Sequence, residues 1–199
     1  MEQTYTWQHV DNPLIQNEAR VQFHRTGLTA SGTQVGEGYE ATWDLRAVEN
    51  WVTQNVVVNV VGDGWERHLK LTRSEDGEWT STTKESGTQP NGLPSPGIVQ
   101  PADLETALDC DLGLCPLTNT MPIRRLGLLE ENVPKTPLIM AWIDMPSLQV
   151  IASDQYYSSI DSHTVRYASE TRGVDVELEV DDDGVVVHYP DMARRVSGL

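Results

Sequence analysis

Two adjacent arginines, Arg124 and Arg125, end an apolar run in the segment TNTMPIRRL at 118–126, inside an otherwise acidic chain. If this segment is extended, successive side chains alternate between its two faces, so Arg125 shares a face with Met121 and Ile123. These two apolar residues would carry Arg125 toward the interior, while Arg124 points outward. A buried guanidinium group without a partner is too costly to tolerate, so the pattern predicts an anion beside Arg125.

Two sources for that anion remain open. An internal carboxylate is the first, with Asp111 on a neighbouring strand pairing with Arg125 and Asn119 capping a bulge before Pro122. The second is a bound ligand, because arginine binds carboxylate and phosphate groups through two parallel hydrogen bonds. Since buried pairs of arginine and carboxylate commonly organise a fold without binding anything, the first source needs no ligand at all.

The patterns typical of enzyme sites are missing from this sequence. Asp161, Ser162 and His163 are neighbours, but neighbouring residues of a strand point to opposite faces, so they do not form a catalytic triad. No Gly-x-Ser-x-Gly elbow, phosphate-binding loop or His-Glu-x-x-His motif occurs. A hydrolase of unknown substrate stays an alternative, and we predict no catalytic residue.

Metal-binding patterns are equally weak. The five histidines are scattered, and valines follow the DDDG run at 181–184 where a calcium loop would need further ligands. Cys110 and Cys115 lack the neighbouring ligands of a zinc site and are predicted to be buried free thiols. We therefore predict neither a metal nor a cofactor.

The charge balance limits the classes of partner. The formal net charge is −16 in a chain of 199 residues, and such a field repels nucleic-acid backbones and anionic membrane surfaces. The first residues, MEQTYTWQHVDNP, do not resemble a secretory signal, and no apolar run approaches the roughly 18 residues of a transmembrane helix. We expect a cytoplasmic protein that binds no nucleic acid, and the oligomeric state is left open.

The elements that position these residues are predicted to be mainly antiparallel strands. Asp-Gly turns at 62–64, 75–77 and 181–184 each separate segments rich in Val, Leu and Trp, and Asp-Gly supplies the positive φ angles of tight hairpins. In VDVELEV at 174–180, apolar and acidic residues alternate, which is typical of a strand with one buried face. The fold class is therefore all-β.

Helices and linkers occupy little of the chain. PADLETAL at 101–108 begins with a proline and has its apolar residues on one helical face, and PDMARRV at 190–196 allows a turn or two. Residues 83–101 are rich in Pro, Gly and Ser and predict an exposed loop. This loop would join two halves, roughly 1–82 and 102–199, of a single domain with one or two short helices.

A block of sequence in the second half resembles a known family. The block DCDLGLCPLTNTMPIRRLGL at 109–128, followed by AWIDMPSLQV, DQYY and VELEVDDDGVVVHYP, is similar to the bacterial and archaeal glycolipid-binding protein family. The likeness rests on the Pro-Ile-Arg-Arg-Leu run and on Trp142, Gln155 and Tyr156, and it covers essentially the whole chain. Cys115 stands where the family has Ser or Thr, and the loop at 83–101 is longer than usual.

The resemblance implies a spiral β-roll, or curved half-barrel, that binds a lipid or glycolipid without catalysis. An apolar groove would be lined by Ile123, Leu126, Ile139 and Trp142. Each acyl methylene buried there would contribute about 0.8 kcal/mol, so a long chain could bind usefully without any catalytic group.

The mouth of such a groove would need polar contacts. The arginines could bind a phosphate or carboxylate, amide side chains could bind sugar hydroxyls, and an aromatic ring could pack against a sugar face. The ligand-binding residues predicted on this basis are Arg124, Arg125, Asn119, Asp111, Trp142, Gln155 and Tyr156. The alternative from another class is a structural or interaction protein, whose acidic surface and exposed loop recruit a basic partner.

Overall fold

One large curved sheet organises the part of the chain that this computed structural model describes, residues 1–130 and 132–197. Its fifteen strands follow the order β7-β6-β5-β4-β3-β2-β1-β15-β14-β13-β12-β11-β10-β9, with β8 paired to β11. Neighbours are antiparallel except for the parallel pairs β9–β10 and β8–β11. The sheet is not closed, so the predicted all-β class with a curved half-barrel shape is confirmed.

The first half of the sheet is a meander. Its strands are β1 (Glu2–His9), β2 (Gln16–His24), β3 (Gly27–Gly36), β4 (Tyr39–Ala47), β5 (Thr53–Gly62), β6 (Trp65–Arg73) and β7 (Trp79–Gly87). Strict alternation in β4 buries Tyr39, Ala41, Trp43 and Leu45 on one face. The Trp43 ring packs directly over Gly32 of β3, where any Cβ would clash with it, so glycine is needed at that position.

The second half contains shorter strands and the one α-helix of the described residues. Its elements are β8 (Gly97–Ile98), β9 (Asp109–Leu112), α1 (Thr120–Leu126), β10 (Thr136–Ile143), β11 (Gln149–Asp161), β12 (Thr164–Ser169), β13 (Val174–Val180), β14 (Val186–Tyr189) and β15 (Ala193–Ser197). Short 3-10 turns cover Glu49–Trp51, Pro101–Leu104 and Pro116–Asn119. No helix in the described ranges is long and apolar enough to cross a membrane.

The prediction that residues 118–126 are extended is wrong. This segment forms the end of a 3-10 turn and then helix α1. Pro122 lies in the first helical turn, where backbone N–H groups have no intrahelical partner and proline is tolerated. The helix ends at Gly127, which has a φ of 66°. The N–H groups of Gly127 and Leu128 then bond to the carbonyls of Arg124 and Ile123, forming a Schellman motif.

Three other boundaries also differ from the prediction. The helix expected at 101–108 is reduced to the 3-10 turn Pro101–Leu104. The segment at 190–196 contains a turn and then enters β15, which bonds to β1. Strand β7 continues to Gly87, because it pairs with β6 along its whole length, so the loop begins later than residue 83.

Candidate functional site

Strand β9 presents two buried carboxylates. Asp109 and Asp111 are two residues apart in a strand, so their side chains lie on the same face. The Asp109 side chain is fully buried and the Asp111 side chain is 10% exposed. A buried carboxylate needs a cationic partner. Each has one, Arg125 from α1 for Asp109 and Arg172 from the β12–β13 turn for Asp111.

The pair of Asp109 and Arg125 is the more deeply buried. Arg125 Nη1 donates a hydrogen bond to Asp109 Oδ1 at 2.5 Å. Arg125 Nη2 lies 2.5 Å from Asp109 Oδ2, although this second contact is not aligned as a hydrogen bond. Burial raises the pKa of Asp109 above its ordinary value, and the neighbouring Arg125 acts in the opposite direction.

Asp111 was one of the two partners considered for Arg125, and that pairing is wrong, although the anion is an internal carboxylate. Arg125 does point inward, as predicted, but it does so from a helix, where it lies one turn after the buried Met121. From this position its guanidinium group meets Asp109, two residues before Asp111 on the same face of β9.

Asp111 is instead the centre of a polar cluster. Thr118 Oγ1 donates to its Oδ1 at 2.9 Å. Gln155 Nε2 donates to its Oδ2 at 2.7 Å, and Arg172 Nη1 donates to the same oxygen at 3.1 Å. The Arg172 guanidinium also lies over the ring of Trp142, 5.2 Å from its centroid. Elements that are distant in the chain therefore meet at this one carboxylate.

Three tyrosines form a row beside the cluster. The ring centroids of Tyr157 and Tyr167 are 5.1 Å apart, and those of Tyr167 and Tyr189 are 5.9 Å apart. The Tyr157 hydroxyl lies 2.8 Å from Asn119 Oδ1 and 3.2 Å from Gln155 Oε1. Burial raises the pKa of Tyr189 to about 12 and that of the other two as well, so all three hydroxyls are neutral at ordinary pH.

A small cavity of about 10 Å³ lies within this cluster. That volume holds one water molecule or one hydroxyl group. Its polar lining comes from Asp111, Asn119, Tyr167, Arg172 and Tyr189, and its apolar lining from Leu112, Leu114, Cys115 and Met192. The buried Tyr189 hydroxyl faces the side chains of Tyr167 and Arg172, but within residues 1–130 and 132–197 neither is well aligned to form a hydrogen bond with it.

Five of the seven predicted ligand-binding residues lie in or next to this cluster. Asp111, Asn119 and Gln155 belong to it directly, and Trp142 contacts it through Arg172. Arg125 lies next to the cluster, because it bonds to Asp109, which shares a face of β9 with Asp111. The polar residues in the most family-like block of sequence therefore indicated part of the cluster.

The other two predicted residues lie elsewhere. The Arg124 guanidinium is 5.2 Å from the ring centroid of Trp51, and its Nη1 donates to the backbone oxygen of Asp182 at 3.3 Å. Tyr156 is next to Tyr157 in β11 and so faces the other side of the sheet, where the Lys135 amine lies 4.1 Å from its ring centroid.

The sequence did not identify six residues in or beside the cluster: Asp109, Thr118, Tyr157, Tyr167, Arg172 and Tyr189. A signal for Asp109 was available, since it is two residues from Asp111 and shares its face in a strand. No local signal marks Arg172, because a turn residue is placed by the pairing of the strands around it.

The residues expected to line an apolar groove pack into the core. Ile123 is completely buried, and Leu126 packs against the same smaller cluster of apolar residues. Ile139 packs against the larger cluster. Ile123 therefore offers no surface to an acyl chain, and Leu126, Ile139 and Trp142 are each only partly exposed.

The two cysteines and the possible metal ligands give no sign of a reactive or metal-binding site among the described residues. Cys110 and Cys115 are free and buried, as predicted. Burial raises the pKa of the Cys115 thiol to about 12 and raises that of Cys110 further. In the described ranges, no three histidine, cysteine, aspartate or glutamate side chains lie close enough to hold a metal ion.

The fold is shared with a solved structure. The crystal structure of a DUF1089 family protein from Pseudomonas aeruginosa matches this chain with a TM-score of 0.70 and 23% sequence identity. The match covers 90% of this chain and 92% of the other. At this identity the likeness defines the class of curved β-sheet protein and nothing finer.

The family follows from a second comparison. A family model described as "Putative glycolipid-binding" matches residues 4–195, so the chain belongs to this family. None of the curated proteins compared with the chain shows a significant match.

Proposed function

We propose that the chain binds a glycolipid through its sugar head group, with the cavity beside Asp111 taking a sugar hydroxyl. The observation that carries this proposal is the buried Tyr189 hydroxyl, which lines a hydroxyl-sized cavity and, although the side chains of Tyr167 and Arg172 face it, has no well-aligned hydrogen bond among the described residues. A buried polar group left unpaired costs about 1–3 kcal/mol. A ligand hydroxyl can both donate and accept, so it would satisfy Tyr189 and bond to Asn119 or Asp111 as well.

The charges of the cluster favour an uncharged head group. Arg125 and Arg172 each face a carboxylate, Asp109 and Asp111, at hydrogen-bonding distance. A phosphate entering the cavity would meet the Asp111 carboxylate, with no unpaired arginine in the cluster to offset the repulsion. The head group is therefore proposed to be a neutral sugar rather than a phosphate or carboxylate.

The lipid tail is proposed to lie on an apolar rim beside the cavity. Leu114 lines the cavity and is 36% exposed. Leu14 is 77% exposed next to Ile15, and Ile15 lines a second small cavity together with Leu114. Exposed Val10 bonds through its N–H to the carbonyl of Met192, which borders both cavities. Each methylene covered on this rim would contribute up to about 0.8 kcal/mol.

The test compares two detergents with the same tail. Dodecyl maltoside carries a sugar head group and dodecyl phosphocholine does not, and each is titrated below its micelle concentration. We expect the wild type to prefer the maltoside. Tyr189→Phe removes only the hydroxyl, so it should weaken maltoside binding by roughly 3- to 10-fold, the worth of one hydrogen bond, without lowering the Tm.

The matched control is Tyr156→Phe, which removes a tyrosine hydroxyl on the other side of the sheet and should leave both affinities unchanged. If the wild type binds both detergents equally, the sugar proposal fails. If Tyr189→Phe binds the maltoside as tightly as the wild type, the cluster around Asp111 organises the fold and does not bind the head group.

A further inference from the structure

A second cavity of about 10 Å³ adjoins the one beside Asp111. It is lined by Trp7, Gln8, His9, Ile15, Gln16, Asn17, Leu114, Met192 and Ala193. Leu114 and Met192 also line the first cavity, so these two side chains form the wall between the cavities. A head group that displaced this wall would reach both.

The second cavity also has a buried polar group without a partner. Asn17 is 4% exposed, and its Nδ2 donates to the backbone oxygen of Leu114 at 2.9 Å. Its Oδ1 has no hydrogen-bond partner in the described part of the chain. An amide oxygen accepts hydrogen bonds, and a sugar hydroxyl is a donor that fits a cavity of this size. Two buried polar atoms without a well-aligned hydrogen bond therefore flank this wall, the Tyr189 hydroxyl on one side and Asn17 Oδ1 on the other.

The backbone at the wall is unusual. Leu114 has a φ of 61°, in the left-handed region that residues with a Cβ rarely adopt. Its carbonyl is held by Asn17, and its side chain is partly exposed above both cavities. Glycine adopts this φ without penalty, so Leu114→Gly removes the Leu114 part of the wall without disturbing the fold.

We propose that the two cavities are the two ends of one sugar-binding site, covered by Leu114 and Met192, and that Asn17 Oδ1 accepts a hydrogen bond from the bound head group. This inference rests on the proposed function and extends it to a second contact. A head group that fills both ends presents hydroxyl groups on opposite sides. Leu114 turns outward to admit it, and the apolar tail then lies against the exposed Leu14 and Val10 on the rim.

The binding test uses dodecyl maltoside with two variants. Leu114→Gly should bind it more tightly than the wild type, because only Met192 then has to be displaced. Asn17→Leu keeps the side-chain size and removes the amide, so it should weaken binding by roughly 3- to 10-fold, as one hydrogen bond would. Because Asn17→Leu also releases the Leu114 carbonyl, the double variant Asn17→Leu/Leu114→Gly is compared with Leu114→Gly alone, where any remaining difference reports the lost amide oxygen.

The outcomes separate the two proposals. If Tyr189→Phe weakens binding while Asn17→Leu and Leu114→Gly bind as the wild type does, the proposed function stands and the joined site is wrong. If neither the wild type nor Leu114→Gly distinguishes dodecyl maltoside from dodecyl phosphocholine, both proposals are wrong.

A second readout is the labelling rate of Cys115. Cys115 lines the first cavity beside Leu114 and is buried in the wild type. With Cys110→Ala as the background, iodoacetamide should modify Cys115 severalfold faster in Leu114→Gly, and dodecyl maltoside should slow that reaction. Equal rates with and without Leu114→Gly would mean that Leu114 does not cover the site, and would overturn this inference.

Discussion

Replacing Arg125 by methionine isolates the most deeply buried ion pair of the second half. Methionine preserves most of the aliphatic packing on α1 and removes the guanidinium group. It leaves the carboxylate of Asp109, which is 0% exposed, without its cationic partner at 2.5 Å. The remaining cost is that of an uncompensated buried charge, because water cannot reach the carboxylate.

The expected size of the effect follows from this burial. Removing one partner of a buried ion pair destabilises a protein by roughly 3–5 kcal/mol. For a chain of 199 residues, each kcal/mol lowers the Tm by about 2–4 °C, so Arg125→Met should melt about 6–20 °C below the wild type. Arg124→Met is the matched control, because Arg124 loses only a cation–π contact and one long hydrogen bond, about 1–2 kcal/mol together.

The pH dependence provides a second measurement. Burial raises the pKa of Asp109, and Arg125 opposes that rise. Without Arg125 the pKa rises further, so folded Arg125→Met retains a proton that the unfolded chain has released. Its stability therefore increases as the pH falls toward the raised pKa, and its deficit against the wild type should shrink as the solution is acidified.

Thermal unfolding at several pH values checks both expectations. Asp109→Asn in the Arg125→Met background removes the uncompensated charge, and this double variant should recover part of the lost Tm. A Tm loss no larger than that of Arg124→Met, or a deficit that grows on acidification, would refute the assignment of Arg125 as the partner that compensates Asp109.

Two further predictions concern buried groups. Because burial raises the pKa of both Cys110 and Cys115, iodoacetamide at about pH 8 should modify the wild-type thiols only in guanidinium chloride, and rapid native labelling of both would contradict their burial. The Arg67 guanidinium donates to the backbone oxygens of Pro94 and Ser147, so Arg67→Met should lower the Tm and speed proteolysis in the loop that carries Pro94, as seen in a timed digest. Unchanged cleavage would show that other contacts hold this loop.

The meander of the first half could be predicted because its signals are local. Asp-Gly turns and period-two alternation are properties of a few neighbouring residues, and they identified hairpins such as the one at 75–77 between β6 and β7. The burial of alternate residues in β4 follows the same rule.

Helix α1 was missed for a physical reason. Met121 and Arg125 are four residues apart, a spacing that puts them on one face of a strand and on one face of a helix alike. Ile123 is where the two periods differ, since a helix turns it away from Met121, but it is buried in α1 as well, so its apolar character fitted both forms. Two features favour the helix: the burial of its apolar residues and the cap at Gly127. That burial depends on the rest of the chain and cannot be deduced from the segment alone.

The polar cluster was predictable only in part. Polar side chains within an apolar block drew attention to Asp111, Asn119 and Gln155. Their partners Arg172 and Tyr189 come from a turn and a strand far along the chain, and strand register brings them together. Register is a property of the whole sheet, so no local pattern indicated which arginine meets which carboxylate.

The pairing of β1 with β15 has a consequence for how the protein is made. The first and last described strands lie side by side in the middle of the sheet. On the ribosome, β1 and β2 can pair early, but the other edge of β1 stays open until β15 has been synthesised. An open strand edge is a template for pairing with other chains, and contacts this distant in sequence form slowly. Translation speed and chaperone capacity should therefore govern its soluble yield more than the stability of the finished sheet does.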